Sequence, residues 1–327
     1  MGYKAFEHGF KCRGFQYEEN KVFETEKAKM CAEGFHYCDN PLNTLIYKDL
    51  VDDNGNIAEF AEVEPLEEPL VENNACCTRK IKIGAKLKLG DFIKSSVEFL
   101  LNKVKNKDHQ DYSNFASSKH RLQLASNEDY SVLALSGNVP ELVSSGGYSC
   151  LALSGYGQQL VSNGYGANLA SSGAYSQILS SGDYSELASS GYHSQLISSG
   201  YGSQVVSSGG KLQLVSSGNY SRLASSGHYS RLVSSGNCST LISSGYGSQL
   251  VSSGDKCVVV NIGRDGRAKA KKGNFIVLAE YGIDNIPINI KATKVDGKII
   301  KEDTWYRLVN GEFKDASDFK PKMRCRV

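Results

Sequence analysis

From Asp111 to Gly263 an apolar residue returns every nine positions without a miss. Ser-Ser-Gly closes successive units at Gly173, Gly182, Gly191, Gly200, Gly209, Gly218, Gly227, Gly236, Gly245 and Gly254. The register runs back through Gly164, Gly155, Gly146 and Gly137 to Glu128 and Lys119, and forward to Gly263. That gives 17 units of approximate form x-Tyr-Ser-x-Leu-Val-Ser-Ser-Gly. The fifth position is apolar in all 17, from Phe115 and Leu124 to Val259, and the sixth is always Ala, Val, Leu or Ile. A helix needs apolar residues at a 3.6-residue spacing, and serine and glycine this dense oppose it. A short apolar run closed by Ser-Ser-Gly predicts a strand and a tight turn. Glycine at the ninth position predicts a left-handed backbone at each corner.

A second periodicity sets the size of the coil. In alternate units the sixth residue is small, at Ala116, Ala134, Ala152, Ala170, Ala188 and Ala224, with Val206, Ile242 and Val260 as exceptions. In the intervening units it is larger, at Val143, Val161, Leu179, Ile197, Val215, Val233 and Val251, with Ala125 as the exception. The fourth position of this second set reads Gln123, Glu141, Gln159, Gln177, Gln195, Gln213, Arg231 and Gln249. The repeat is therefore 18 residues, two units to a coil, with like stacked on like. The fold expected is mainly β: a parallel β-solenoid, about 40 Å long at ~4.8 Å per stacked strand. A glutamine row allows amide ladders along the stack. Neighbouring fifth and sixth residues cannot both point inward on a flat strand, so either the chain bends or one apolar row is exposed.

The flanks divide the rest. Residues 1–88 read as a small α+β domain, with strands near Ile57–Val63 and Lys80–Ile83. Residues 89–110 read as a capping helix over Leu89–Asn106, with Asp91 as N-cap. Ile93, Val97, Leu100 and Val104 line one face, flanked by Phe92 and Phe99. The solenoid occupies 111–263. Residues 264–327 read as a β-meander cap and a basic tail from Lys320 to Val327. Its strands are Phe275–Tyr281, Ile288–Val295, Lys298–Ile300, Trp305–Val309 and Glu312–Phe313. Asp296-Gly297 and Asn310-Gly311 mark hairpin turns.

Charge changes this picture little. Lys and Arg number 16 against 19 acids in 1–110, 6 against 7 in the solenoid, and 15 against 9 after it. A near-neutral rod is a poor mimic of a nucleic acid. Nucleic-acid contact is expected nowhere except in the basic carboxy-terminal region. There Arg264, Arg267, Lys269, Lys271 and Lys272 read as a solvated loop. Nine cysteines without framework spacing, no apolar leader and no membrane-length apolar run point to a reducing, cytoplasmic setting without membrane contact.

Chemistry is scarce. Cys12, Cys31, His36 and Cys38, with His8 nearby, have poor metal-ligand spacing, and no third group orients a Cys/His nucleophile pair. Neither a phosphate loop nor a nucleophile elbow is present, and the units lack the aspartates of calcium-binding rolls. An enzyme is not expected, and no cofactor or metal is. The candidate contact residues are rows on the rod. One is Tyr156, Tyr165, Tyr184, Tyr201, Tyr220, Tyr229 and Tyr246; the other is Gln159, Gln177, Gln195, Gln213 and Gln249. Corner packing is the competing role for the tyrosines.

The amino-terminal Phe10-Lys11-Cys12-Arg13-Gly14-Phe15-Gln16-Tyr17, Cys31-Ala32-Glu33-Gly34-Phe35-His36-Tyr37-Cys38 and Asn40-Pro41-Leu42 resemble the head of an uncharacterised phage and prophage family. Phe275–Tyr281, Lys294-Val295-Asp296-Gly297 and Asp303-Thr304-Trp305-Tyr306 resemble its tail, with short Gly/Ser/Ala-rich repeats between. The resemblance implies an intracellular, phage-associated protein and no established activity. The expected function is non-enzymatic binding of a host protein or other macromolecule, with inhibition of a host defence system as its use. The alternatives are a self-associating homo-oligomeric β-rod, and an enzyme or metal site in the amino-terminal domain with the solenoid as spacer.

Overall fold

The computed structural model describes residues 1–105 and 114–319, and the chain falls into two compact units, Met1–Gln110 and Asp111–Val327. Asp111, Tyr112 and the basic tail from Lys320 lie outside the described residues, as does the side chain of Val104.

In the first unit, Gly2–Phe6 pairs with Glu59–Pro65, which pairs with Lys80–Leu87, which pairs with Val22–Glu24, all antiparallel. Phe35–Tyr37, Ala75–Thr78 and Leu70–Glu72 make a second antiparallel sheet. The helix spans Leu89–Lys105, so Asp91 stands in its first turn and is not the N-cap expected for it. Its face of Phe92, Ile93, Val97 and Leu100 is buried, and Phe92 stacks on Phe60 at 3.9 Å between ring centres.

The second unit is the solenoid. Alternate units supply strands to two parallel sheets, each residue lying 18 positions from its partner; Gln159 pairs with Gln177 and Ala170 with Ala188. One sheet, here the alanine sheet, runs from Asn114–Ser117 to Val258–Asn261; the other, the glutamine sheet, starts at Gln123–Ser126. The fifth-position side chains of both sheets meet in one continuous leucine-rich core, including Leu133, Leu142, Leu160, Leu196 and Leu250.

Many corners are held by serine hydroxyls, although among the described residues those of Ser198, Ser234 and Ser252 are buried without a partner. At Ser180, Ser216 and Ser225 the seventh-position serine accepts from the glycine two residues on and bonds the third-position serine of the next unit, as in Gly182 N–H to Ser180 and Ser180 to Ser185 at 2.8 Å. Ser185 in turn donates to the Gly182 carbonyl at 2.9 Å. Local hydroxyl bonding of this kind satisfies corner amides and carbonyls that have no place in a strand ladder.

The expected left-handed glycine at position nine is overturned. The left-handed residue is at position two: Tyr148 (φ 54°), Tyr175 (φ 59°), Tyr184 (φ 55°), Val139 (φ 55°), or a glycine such as Gly202 (φ 67°) when tyrosine moves to position one. The ninth residue is glycine because the next coil comes too close. A Cβ on Gly182 would sit on the carbonyl oxygen of Gly164, and one on Gly227 on that of Gly209.

The carboxy-terminal strands prolong both sheets. Arg267–Ala270 adds a further parallel strand beyond Gln249–Ser252, so the basic run from Arg264 is a coil of the solenoid and not a solvated loop. Phe275–Tyr281 joins the alanine sheet in parallel, and Pro287–Lys294 turns back against it. On the glutamine sheet, Tyr306–Val309 and Glu312–Asp315 follow as a hairpin, whose Asn310 (φ 52°) and Gly311 (φ 69°) fit a two-residue turn with both central residues left-handed. Lys298–Ile300 is not the expected strand: Asp296 Oδ1 accepts from the backbone N–H of Lys298, Ile299 and Ile300 and folds them into a turn.

Candidate functional site

The two sheets answer differently the question of which apolar row is exposed. In the glutamine sheet Val161, Leu179, Ile197 and Val215 are fully buried at position six. In the alanine sheet burial alternates strictly, and the fourth and sixth positions face outward from strand after strand. Ala152, Ala170 and Ala188 are exposed, and so are the larger Val132, Val206, Ile242, Val258 and Phe275. The sixth-position residues among them, from Ala152 to Ile242, floor a groove of about 1300 Å³ running from Ala116 to Ile242, with eighth-position serines such as Ser172 and Ser190 along it.

The tyrosines form two ladders, one at each corner. Tyr130, Tyr148, Tyr165, Tyr184, Tyr201 and Tyr220 follow one another at 5.1–5.5 Å between ring centres. On the opposite corner Tyr156 meets Tyr175 at 5.1 Å, His193 stacks on Tyr175, and Tyr229 meets Tyr246 at 5.4 Å. Such contacts stabilise the corner. Tyr156, Tyr165, Tyr184, Tyr201 and Tyr220 nonetheless keep 41–56% of their surface exposed.

The glutamine row forms the expected amide ladder: Gln159 donates to Gln177 at 3.0 Å and Gln177 to Gln195 at 3.5 Å. Gln159, Gln177 and Gln213 are buried, and Gln195 and Gln249 half-buried. Arg267 ends the row. It donates to Gln249 at 3.2 Å and to the carbonyls of Ala316 and Phe319, and lies 4.2 Å from the centre of the Trp305 ring. Three other basic residues of that coil are engaged too, Lys271 with Asp255 at 2.7 Å, Arg264 with Asn285 at 3.0 Å and Lys269 over Trp305.

In the first unit, a pocket of about 400 Å³ is lined by Lys4, Cys12, Phe15, Tyr17, His36 and Cys38 among others. Lys4 is the feature that sequence reasoning passed over. It is 6% exposed, donates to the His36 carbonyl at 2.7 Å, and lies over the rings of Phe6 and Tyr17. Burial pulls its ammonium below the ordinary lysine value, and among the described residues no carboxylate pairs with it. The alternation of the first strand was the available signal, since Lys4 falls on the same face as Phe6.

The Cys/His cluster is otherwise engaged. His36 Nε2 accepts from the Cys31 N–H at 3.0 Å, and burial pushes the imidazole below its ordinary pKa. Cys77 Sγ donates to the Glu33 carbonyl, and burial pushes the Cys38 thiol up to about 12. His8 lies 3.5 Å from Glu59, which also holds Lys86 and the Phe10 N–H. Among the described residues no three His, Cys, Asp or Glu side chains are placed to share a metal ion.

Residues 1–95 match the family model of a domain of unknown function, DUF7666. The match ends before the solenoid begins. No curated protein matches the chain, and no solved structure does. Among the described residues no helix is long and apolar enough to cross a membrane.

Proposed function

We propose that this protein is a non-enzymatic binding protein whose solenoid is a rigid platform, and that the outward face of the alanine sheet is where it engages another protein. The observation that carries the reading is the groove from Ala116 to Ile242, a flat apolar surface held by backbone pairing on every strand. An apolar stretch of this length on a monomer marks an interaction surface. Small side chains let a partner's backbone approach closely, and the pairing of each strand to two neighbours keeps the face from rearranging. The resemblance to phage proteins directs the search for that partner to host proteins, a defence component first.

Self-association is the second reading, favoured by the exposure of the sixth-position row on one sheet alone. The glutamine row, with three of its members buried, supports contact less well than the tyrosine ladders, which border the platform from outside.

A tagged capture from host lysate tests the platform, with Ala188→Arg placed in its middle and Tyr156→Ala on a corner as control. A partner retained by wild type and by Tyr156→Ala but lost by Ala188→Arg is expected. Retention by Ala188→Arg would remove the alanine sheet from the reading.

A further inference from the structure

We infer that the occupant of the alanine sheet is a second copy of this chain, packed face to face with the rod axes antiparallel about a two-fold axis through Gln204 and Val206. The inference rests on the platform reading above and names its partner.

The argument is one of matching along the face. A two-fold axis lying along a strand keeps position four opposite position four and position six opposite position six, while reversing the order of the coils. Centred on Gln204–Ser207, it sets Glu186 against Arg222 of the partner subunit, and Arg222 against the partner's Glu186. From Asn114 to Phe275 these are the only acid and the only base in the fourth-position row of this sheet, one coil to either side of Gln204. Glu186 accepts from Gln204 at 3.1 Å, and among the described residues neither charge has an ion-pair partner.

The sixth-position row matches by volume under the same operation. Next to the axis Ala188 opposes the partner's Ala224. Further out Ala170 opposes the partner's Ile242, Ala152 the partner's Val260, and Ala134 the partner's Val277, so away from the axis, where Val206 meets the partner's Val206, each large residue meets a small one. In the fourth row the exposed Val132 opposes the partner's Phe275, which is 49% exposed. Apart from Val206 on the axis, the exceptions to the alanine rule thus fall in one half of the rod, where alanines of the other half receive them. A parallel arrangement, with the two-fold along the rod, sets position four opposite position six of the same coil, so Glu186 would oppose the partner's Ala188 and Arg222 the partner's Ala224, and neither charge would be paired.

The nine strands from Val132–Leu135 to Phe275–Tyr281 span about 38 Å, and at a width of about 13 Å the pair withdraws roughly 1,000 Å² in total from water. That sits at the lower bound for a specific interface and describes a reversible dimer.

The test uses the full chain. Light scattering across a concentration series is expected to show a monomer–dimer equilibrium. Glu186→Arg weakens it by about ten-fold, since the two-fold counts the repulsion twice, and adding Arg222→Glu restores it. In Val258→Cys, a short bis-maleimide is expected to link the introduced thiol to the exposed Cys150 of the partner subunit, as mapped by mass spectrometry. Linkage of the introduced thiol to its own copy would overturn the antiparallel register. A monomer at every concentration overturns the inference. If Ala188→Arg then still abolishes capture of another protein, the platform reading stands without it; if Ala188→Arg changes neither, both fall.

Discussion

Lys4 shows how much one residue can add to a small domain and how little its sequence context advertises it. Its ammonium has one carbonyl acceptor and two aromatic rings in place of a carboxylate. Burial disfavours the charged form, so the folded chain holds this proton less tightly than the unfolded one. The cost is therefore fully present below the folded-state pKa and fades as pH rises through it toward the ordinary value of 10.5. Lys4→Met, which removes the charge and keeps most of the volume, should bring the largest relative gain at neutral pH. Denaturant unfolding of both proteins, at neutral pH and in alkaline buffer, is expected to show the wild type recovering against Lys4→Met as pH rises. A parallel pH dependence of the two would show that the charge costs nothing. Other residue-level features were legible only in part. The glycines at position nine were plain as a pattern, but their cause was not. A spacing of nine marks a corner, whereas crowding by the Gly164 carbonyl depends on the stack formed by the neighbouring coil.

At the scale of the element, the corner is the unit of design. Two constraints fall on it at separate positions: a left-handed residue at position two and no side chain at position nine. A non-glycine residue in the left-handed region costs about 1–2 kcal/mol, and at Tyr148 and Tyr184 the same residue gains ring contacts along the ladder and donates its N–H to the next coil at 2.7 Å. Gly182→Ala is expected to lose roughly 1–3 kcal/mol or more, because its Cβ meets backbone that cannot turn aside. Ser181→Ala beside it should stay within about 0.5 kcal/mol. Chemical denaturation separates the two, and equal losses would show that the coils relax around a methyl group. The strands themselves were readable from the repeat, since Leu and Ser on one face leave Ala on the other. The end of the repeat was not. Arg267–Ala270 keeps the strand while exchanging leucine for Ala268 and the Ser-Ser-Gly turn for Ala270-Lys271-Lys272, so the composition hides a strand that continues the sheet.

For the whole second unit, cooperativity is a matter of neighbours. Each strand pairs only with the coil above and the coil below, so stability is a sum of local terms with a penalty at each end. The carboxy-terminal end is closed by antiparallel strands on both sheets, with Arg307 paired to Asp265 at 2.6 Å and Trp305 lying over Arg267. The sheet assignment of every residue is set by its parity. A residue 18 positions on returns to the same row, and one nine positions on crosses to the opposite sheet. Parity also explains why the outward face was legible as two alternatives and no more: the sequence separates the rows, but their exposure depends on what each sheet faces.

That parity makes the rod a molecule whose length is inherited in fixed steps. Removal of residues 165–182, one full coil, should leave a folded, shorter rod with both rows unbroken, as read by circular dichroism and cooperative melting. Removal of 165–173 alone joins the alanine rows of one half to the glutamine row of the other and should melt earlier. Repeats gained or lost by genetic slippage are thus viable in even numbers of nine-residue units. The two-fold match sharpens the rule. Only a coil lost between Glu186 and Arg222 moves one charge out of step with its counterpart in an unaltered copy, whereas loss of 165–182 leaves both one coil from Gln204. Recognition between variants of the same protein would then follow the spacing of those two charges and not the total number of coils.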